Sequence, residues 1–323
     1  LVRMEQGNGA GASSDLERAR RLAPRDASVW VALGDLHRAA SDLDAAVTAY
    51  QRAVTLDPAL VMVEVRLGNT HVARGRLEEA LAAFDGAIER AAQALAAGEL
   101  VAFPTETVYG LGANALDAAA VRAIYAAKGR PSFNPLIVHI GNRQQWQEVV
   151  ADIPEKARLL ADAFWPGPLT LVLPKSDRVP NIVSAQKSTV AVRMPNHALT
   201  LALLQALPFP LAAPSANPFG TISPTTARHV ADYFGDSLSM VLDGGPAQQG
   251  IESTIVGFED GLPVMYRLGT ITQEEIEAVI GRVTVTNKNN HNPSAPGMLL
   301  KHYAPKTKLI LVEDLPGAVA QYA

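Results

Sequence analysis

Two short apolar runs in this chain are each joined to a stretch of hydroxyls, glycines and cations. The run from Leu100 to Phe103 is stopped by a proline and leads into Thr105-Glu-Thr-Val-Tyr-Gly-Leu-Gly112. The run from Leu136 to Ile140 closes a segment that begins with Lys128-Gly-Arg-Pro. Both polar stretches therefore meet a predicted strand where its backbone leaves the sheet. Because ligands of open α/β sheets bind at such places, the pattern predicts an α/β fold with a binding site at the strand ends.

The spacing Gly110-x-Gly112-x-x-Ala115 after a strand is also typical of a dinucleotide-binding turn. Such a turn needs an Asp or Glu about 20 residues further on, which holds the ribose hydroxyls. No acidic residue lies between Ala118 and Gln147, and that region carries Lys128 and Arg130 instead. The sequence therefore argues against a dinucleotide site.

Composition limits the classes of protein that remain. The length of 323 residues supports about two domains, and 48 % hydrophobic residues suffice for packed cores. The net charge of −4 argues against a protein held on nucleic acid by bulk electrostatics, although it leaves a local basic groove open. The chain has no Cys, which excludes disulfides, thiolate nucleophiles and cysteine-based zinc sites and is compatible with a reducing compartment.

No segment predicts entry into a membrane or export. The uncharged run from Ala198 to Ala227 is long enough to span a bilayer, but five prolines interrupt it. The first seven residues lack the apolar core of a signal peptide. We therefore expect a cytoplasmic protein without a membrane helix.

The first part of the chain repeats itself with a period of 34 residues. The two copies of the pattern are Trp30, Leu33, Gly34, His37, Ala46, Tyr50, Ala53 and Pro58, then Glu64, Leu67, Gly68, His71, Ala80, Phe84, Ala87 and Ala92. This resembles the tetratricopeptide repeat, in which small residues let paired helices approach and an aromatic side chain fills the groove between them. A partial upstream copy brings the total to roughly two and a half repeats, where about three are usually needed. We therefore expect either a shortened array or a last helix that packs on the next domain.

From about Ala87 onward, helix-like and strand-like segments alternate, which predicts an α/β sheet domain. The predicted elements are a helix over Asp117 to Ala127 and strands over Leu169 to Leu173, Thr189 to Arg193 and Leu211 to Ala213. Arg193 ends a strand, where its two-pronged guanidinium could hold a carboxylate. Ser223 followed by Pro224 predicts a helix start before an amphipathic segment over Ala227 to Phe234, and such a start can bind an anion.

Taken together, these residues resemble the L-threonylcarbamoyladenylate synthases of the YrdC-like family over roughly Ala87 to Gly281. The motifs that carry the resemblance are Pro104-Thr-Glu-Thr-Val-Tyr-Gly-Leu-Gly, Lys128-Gly-Arg-Pro, Asn134-Pro-Leu-Ile-Val-His139, Ser215-Ala-Asn217, Ser253-Thr-Ile-Val and Arg267-Leu-Gly. The resemblance implies an α/β fold, a YrdC-like open twisted mixed sheet with flanking helices, preceded by an all-α repeat segment. The expected domains are helical repeats over residues 1–86, the YrdC-like domain over 87–283, a linker over 284–308 and the start of a truncated C-terminal α/β domain over 309–323.

The same resemblance implies a reaction and a set of site residues. The family joins L-threonine, bicarbonate and ATP into threonylcarbamoyl-AMP and pyrophosphate, and the product feeds the tRNA threonylcarbamoyl transferase machinery. L-threonine is expected at Thr107, His139, Arg193, Ala213 and Ser253, and ATP at Lys128, Arg130, Asn134, Thr189, Ser215, Ser223 and Arg267. His302 and Tyr303 of the linker are expected to fold over the nucleotide site. Mg²⁺ is expected to bridge the ATP phosphates, with no metal site built by the protein itself.

Two other interpretations stay open at this point. The chain could be a repeat-containing adaptor whose α/β domain binds nucleotide or RNA without turnover, with a protein partner on the repeats. That interpretation predicts loss of the cations, yet Lys128, Arg130, Arg193 and Arg267 are all present. The chain could also be an RNA-binding module with a concave basic face, against which the overall negative charge argues.

Overall fold

The computed structural model describes residues 9–57 and 61–286. Its helices fall into an amino-terminal group of five and a group that flanks the sheet. The helices are α1 Gly9–Leu22, α2 Ala27–Ala39, α3 Leu43–Leu56, α4 Val61–Ala73, α5 Leu77–Ala96, α6 Ala118–Lys128, α7 Arg143–Val149, α8 Glu155–Phe164, α9 Ala198–Ala206, α10 Ala227–Phe234 and α11 Gln273–Ile280. None of the helices in these two ranges combines the length and the apolar character needed to cross a bilayer.

The repeat pattern predicted from the sequence is confirmed as paired helices. Tyr50 on α3 and Phe84 on α5 are fully buried. Each ring lies against a glycine of the preceding helix, Gly34 on α2 or Gly68 on α4, where any Cβ atom would overlap the ring. The glycines are therefore required for the close approach of each helix pair, as the sequence pattern indicated. Pro58, the last position of the first copy, lies outside the described residues.

Helix α5 joins the repeats to the sheet domain without a break. The predicted domain boundary between residues 86 and 87 falls inside this 20-residue helix. Ala91 and Leu95 in its second half share one apolar cluster with Leu199 and Leu203 of α9. The expectation that the last repeat helix packs on the next domain is thus confirmed, and the repeat array and the sheet domain share a core.

The sheet is mixed and carries helices around it, as expected. Its strands are β1 Val101–Phe103, β2 Gly110–Asn114, β3 Ile137–His139, β4 Leu169–Pro174, β5 Thr189–Arg193, β6 Leu211–Ala212, β7 Met240–Val241, β8 Thr254–Glu259, β9 Leu262–Arg267 and β10 Thr284–Val285. Their order across the sheet is β10-β9-β8-β4-β5-β3-β6-β2-β1-β7. The predicted strands over residues 169–173, 189–193 and 211–213 correspond to β4, β5 and β6.

The register of the central strands brings polar residues to one edge. His139, the last residue of β3, pairs with Arg193, the last residue of the parallel strand β5. Arg193 also pairs with Thr170 of the antiparallel strand β4. Ser253 directly precedes β8, whose first residue pairs with Leu169 of β4. These side chains therefore lie next to one another although their positions in the sequence are far apart.

The predicted amphipathic segment over Ala227 to Phe234 is confirmed as helix α10, but the helix start predicted at Ser223-Pro224 is wrong. Helix α10 begins at Ala227, and its cap is Thr226, whose hydroxyl accepts a hydrogen bond from His229 N at 3.2 Å. The carbonyl of Pro224 accepts from Tyr109 N at 2.9 Å. Because this contact ties Pro224 to the Tyr109 segment before β2, the helix begins three residues later than the Ser223-Pro224 pair predicted.

Candidate active site

A cleft at the ends of the central strands collects most of the predicted site residues. Its empty volume, including the part open to solvent, is about 530 Å³. The predicted site residues that line it are Thr107, His139, Arg193, Ala213 and Ser253 from the L-threonine set and Arg130, Ser215 and Arg267 from the ATP set. All five residues predicted for L-threonine and three of those predicted for ATP therefore line one cleft, and the ligand that each of them contacts stays a prediction.

Arg193 forms a buried ion pair that the sequence analysis did not anticipate. Its Nη2 donates to Glu106 Oε1 at 2.7 Å and to Thr107 Oγ1 at 2.9 Å, and its Nε donates to Gly167 O at 3.3 Å. Only 4 % of the Arg193 side chain and 3 % of the Glu106 side chain are exposed. Nε and Nη2 are thus the guanidinium nitrogens that hydrogen-bond within the described part of the chain, which leaves Nη1 to a ligand.

Glu106 is one of two site carboxylates that sequence reasoning missed, although it stands inside the quoted Thr105-Glu-Thr motif. Its second oxygen, Oε2, accepts a hydrogen bond from Asn196 N at 3.0 Å. A carboxylate this deeply buried requires a cation and further donors to offset its lost hydration. The available signal was an acidic residue inside a motif that otherwise carries hydroxyls, glycines and apolar residues.

The Thr105 hydroxyl fixes the turn that carries Thr107. It donates to Val108 O at 2.6 Å and accepts from Thr107 N and Val108 N, both at 3.2 Å. Thr105 Oγ1 and Thr107 Oγ1 lie 2.8 Å apart. Since the Thr105 proton is used on Val108, the Thr107 hydroxyl is the donor in that pair, and its oxygen accepts from Arg193.

His139 is held as a neutral imidazole. Its Nδ1 is buried and has no hydrogen-bond partner among the described residues. Burial, with the neighbouring positive charge of Arg193, lowers the pKa of His139 from 6.5 to about 3. A neutral imidazole has one donor and one acceptor nitrogen, and the His139 ring lines the cleft.

This shift predicts a specific dependence of stability on pH. Below about pH 6.5 the unfolded chain protonates His139 whereas the folded chain does not, so the free energy of unfolding falls as the pH falls toward 3. The slope attributable to one such group is up to about 1.4 kcal/mol per pH unit. Urea unfolding of the wild type and of His139→Gln between pH 7.5 and 4.5 gives the pH dependence of the unfolding free energy of each protein. The difference between the two slopes is the contribution of His139, because the other histidines contribute equally to both proteins. Identical slopes for the two proteins would contradict a neutral buried His139.

The opposite wall of the cleft is built around Arg267. Its Nη1 donates to Glu252 Oε2 at 2.5 Å, its Nη2 to Ser253 Oγ at 2.9 Å and its Nε to Ser253 O at 2.9 Å. Thr170 Oγ1 lies 2.8 Å from Ser253 Oγ. Ser223 does not line the cleft, but its hydroxyl donates to Glu252 Oε1 at 2.9 Å. Glu252 thus orients two of the predicted ATP residues, a role that sequence reasoning did not assign.

Lys128 lies behind the cleft. Its Nζ donates to Ser215 O at 2.5 Å and to Asn217 O, and burial lowers its pKa well below the usual value. The ammonium therefore holds the Ser215–Asn217 turn in place and does not line the cleft. The contact of Lys128 with ATP stays a prediction.

Of the other residues predicted to bind ATP, Arg130 lines the cleft, whereas Asn134 and Thr189 do not. Arg130 donates from Nη2 to Pro135 O at 2.8 Å and from Nε to Asn134 O at 3.2 Å. Asn134 is fully buried and does not line the cleft, and its side-chain amide has no partner among the described residues. Thr189 lies at the far end of β5 from Arg193 and is outside the cleft. The contact of Thr189 with ATP stays a prediction.

Part of the sequence-based prediction concerns residues that the structure does not describe. His302 and Tyr303, the C-terminal segment over 309–323 and all but the first three residues of the predicted linker lie outside the described residues. Their role over the nucleotide site stays a prediction.

The fold and this cleft define a mixed α/β protein with a cleft lined by arginines and hydroxyl side chains at its strand ends. Residues 93–269 match the Sua5/YciO/YrdC family model, which carries the description telomere recombination. Since this match covers more than half of the chain, the protein belongs to that family. Residues 271–322 match the model of the C-terminal domain of threonylcarbamoyl-AMP synthase, and residues 1–60 match a tetratricopeptide repeat model.

Named relatives agree with these family models. Threonylcarbamoyl-AMP synthase of Pyrococcus abyssi is 50 % identical over 230 residues, which are 70 % of this chain and 68 % of that protein. Threonylcarbamoyl-AMP synthase of Bacillus subtilis is 50 % identical over 236 residues, which are 72 % of this chain and 68 % of that protein. The chain thus spans about two thirds of the length of these relatives.

A solved structure shares the fold. The crystal structure of P. abyssi Sua5 complexed with L-threonine is similar with a TM-score of 0.68 at 48 % identity, covering 73 % of this chain and 70 % of that chain. The YrdC-like fold predicted from the sequence motifs is therefore confirmed.

Proposed function

We propose that this protein is a threonylcarbamoyl-AMP synthase, which joins L-threonine, bicarbonate and ATP and releases pyrophosphate. The observation that carries the proposal is the composition of one cleft. Thr107, His139 and Arg193 line one wall of it, and Arg130 and Arg267 also line it. A small zwitterion with a hydroxyl and a polyphosphate are complementary to these two sets of groups.

On the amino acid side, each group of L-threonine has a matching partner. The Nη1 of Arg193, which Glu106 orients through the neighbouring Nη2, suits the substrate carboxylate. The neutral imidazole of His139 can accept or donate a hydrogen bond without adding a charge. The hydroxyls of Thr107 and Ser253 line the same cleft and can bond the amine or the side-chain hydroxyl.

The chemistry then needs positioning and charge stabilisation. The amine lone pair of threonine attacks the carbon of bicarbonate, and loss of water leaves a carbamate. A carbamate oxygen attacks the α-phosphorus of ATP, the bond to the β-phosphate oxygen breaks, and pyrophosphate leaves with that electron pair. Arg130 and Arg267 are cations beside this path and stabilise the charge that develops on the phosphates.

We assign Mg²⁺ to the substrate MgATP. The described residues contain no group of three or more His, Asp or Glu that could hold a metal ion. Among the residues lining the cleft, Glu252 is the carboxylate, and it is hydrogen-bonded to Arg267 and Ser223. Such a set fits an ion that arrives with phosphate and water ligands.

Pyrophosphate release with ATP and bicarbonate, measured with and without L-threonine, tests the function directly. We expect release that depends on L-threonine, with L-serine a better substitute than L-valine. A site that hydrogen-bonds a hydroxyl rejects an analogue without one far more strongly than it rejects the loss of a methyl group, which is worth only about 1 to 3 kcal/mol. Equal release with threonine and valine, or release without any amino acid, would contradict the proposal.

Replacement of Arg130 tests the nucleotide side. Loss of one partner of a buried charge-assisted contact costs roughly 2 to 5 kcal/mol. We expect Arg130→Ala to lower kcat/KM for ATP by at least about tenfold. Arg122→Ala, which removes an exposed arginine from α6, is the matched control and should behave as the wild type. Wild-type kinetics of Arg130→Ala at limiting ATP would contradict the assignment.

We also propose that the product passes to the tRNA threonylcarbamoyl transferase machinery. We further propose that this protein does not itself bind the phosphate backbone of tRNA. The net charge of −4 supports this assignment. Filter binding of tRNA across a salt series checks it, because phosphate contacts give a steep dependence on salt concentration.

A further inference from the structure

The loop formed by residues 243–250, called here the bridging loop, lies against the L-threonine side of the cleft. Near its end, Gln249 N donates to Glu106 O at 2.9 Å and Gly250 N donates to Thr107 O at 3.1 Å. Glu106 and Thr107 are the residues whose side chains accept from Arg193. The backbone of the bridging loop therefore supports the segment that orients the arginine.

The start of the bridging loop is a tight turn over Asp243 to Gly245. Asp243 Oδ1 accepts from Gly245 N at 3.0 Å, and the hydroxyl of Tyr109 donates to Gly245 O at 2.7 Å. A Cβ atom on Gly244 would overlap Pro104 and the ring of His197, so the turn packs directly on the proline that begins the Thr105 motif. Tyr109 also lines the cleft. The turn and the substrate-binding segment therefore cannot move independently.

The residue that holds this turn from outside the sheet domain belongs to the helical repeats. Asn69 on α4 donates from Nδ2 to Asp243 O at 3.0 Å. Val65, one turn earlier on α4, is fully buried in the apolar cluster that contains Leu242, the residue before the turn. One face of the second repeat thus contacts the start of the bridging loop.

The repeat period shows that this contact is specific to the second repeat. The residue 34 positions before Asn69 is Asp35 on α2. Asp35 forms its hydrogen bonds within the repeat array, because it accepts from Tyr50 OH and from Arg66 Nη1, both at 2.7 Å. A carboxylate at position 69 would face the carbonyl of Asp243 without a proton to donate, whereas the amide of Asn69 supplies one.

We propose that the second helical repeat is a positioning element of the substrate cleft, with Asn69 as the positioning residue that acts through the bridging loop. Asn69 holds the turn, the turn holds Tyr109 and Pro104, and the loop holds the Glu106–Thr107 segment that orients Arg193. The inference rests on the proposed function for the identity of L-threonine as the ligand. Anything that moves α4 then changes the affinity of the cleft for the amino acid.

Calorimetric binding of L-threonine to full-length variants tests the proposal. We expect Asn69→Ala and Asn69→Asp to bind L-threonine about three- to tenfold more weakly, as suits the loss of one hydrogen bond. KM for L-threonine should rise by the same factor while kcat changes less than about twofold. Gln93→Ala is the matched control, because Gln93 is an exposed residue of α5 whose side-chain amide donates to Glu89 of the same helix.

A double-mutant cycle with Tyr109→Phe separates positioning from a general loss of stability. If the turn transmits the effect, the two substitutions are non-additive in L-threonine affinity, whereas independent structural effects add. Amide exchange gives a readout that needs no ligand, since Gly245, Gln249 and Gly250 should exchange faster in Asn69→Ala with β4 and β5 unchanged. Unchanged exchange at these amides together with wild-type affinity would overturn the inference. Failure of the wild type to bind L-threonine, with the exchange result intact, would count against the proposed function alone.

Discussion

Arg193→Ala is expected to lower the free energy of unfolding by about 3 to 5 kcal/mol and to abolish measurable L-threonine binding. The large effect on stability follows from Glu106, whose carboxylate would stay buried without its cation. The effect on binding follows from the loss of the guanidinium at the centre of the amino acid side of the cleft. Urea unfolding and calorimetry measure the two effects separately.

A paired substitution provides the control for this result. In Arg193→Met with Glu106→Gln, no buried charge is left alone, so most of the lost stability should return. Binding of L-threonine should stay absent, because the group that we propose binds the substrate carboxylate is still missing. A single Arg193→Ala variant that loses less than about 1 kcal/mol, or a paired variant that binds L-threonine normally, would contradict this account.

Gly269→Ala is expected to have the second large effect. A Cβ atom at this position would overlap backbone atoms of Glu252, Ser253 and Thr254, which cannot yield as a flexible side chain can. Overpacking of this kind costs about 1 to 3 kcal/mol. Because the contact sets Arg267 against Ser253, we also expect kcat/KM for ATP to fall about tenfold or more. Urea unfolding and steady-state kinetics measure the two quantities.

The neighbouring residue offers a matched control for Gly269. Leu268 is 65 % exposed, so Leu268→Ala should change the free energy of unfolding by no more than about 0.5 kcal/mol and leave the kinetics unchanged. If Gly269→Ala behaves like this control, the close approach of Gly269 to the backbone of residues 252–254 does not position Arg267.

The sequence predicted a group of residues that does line one cleft, because these residues belong to local motifs. His139 and Arg193 stand at or near the ends of predicted strands, and strand ends meet at one edge of a sheet. Thr107 and Ser253 belong to motifs that the structure places at the same cleft. The helix start at Ser223 was mispredicted because Pro224 bonds to Tyr109, a residue more than 100 positions away, and the local signal could not include that contact. Lys128 does not line the cleft because its Nζ donates to Ser215 O and Asn217 O, contacts that its charge alone did not predict.

What the sequence determined by itself was the set of elements and the types of groups available to them. The period of 34 residues required paired helices, because a glycine and a ring recur at positions that only a close helix pair can satisfy. The strand-end motifs, in a chain without cysteine, pointed to a site that positions its substrates and stabilises charge rather than one that uses a thiolate nucleophile. Both conclusions depend on residues near one another in the chain, where spacing alone fixes geometry.

Only the tertiary structure decided which of these groups work together. Arg193 meets Glu106 across 87 residues, and Asn69 meets Asp243 across 174. Such pairs leave no periodic trace in one sequence, because either partner alone has the ordinary appearance of a buried or surface polar residue. The requirement that a buried carboxylate find a cation, and that a carbonyl at the start of a loop find a donor, is met by whichever side chain the fold brings within about 3 Å. That is why only the structure revealed the Arg193–Glu106 ion pair and the contact of the second repeat with the bridging loop.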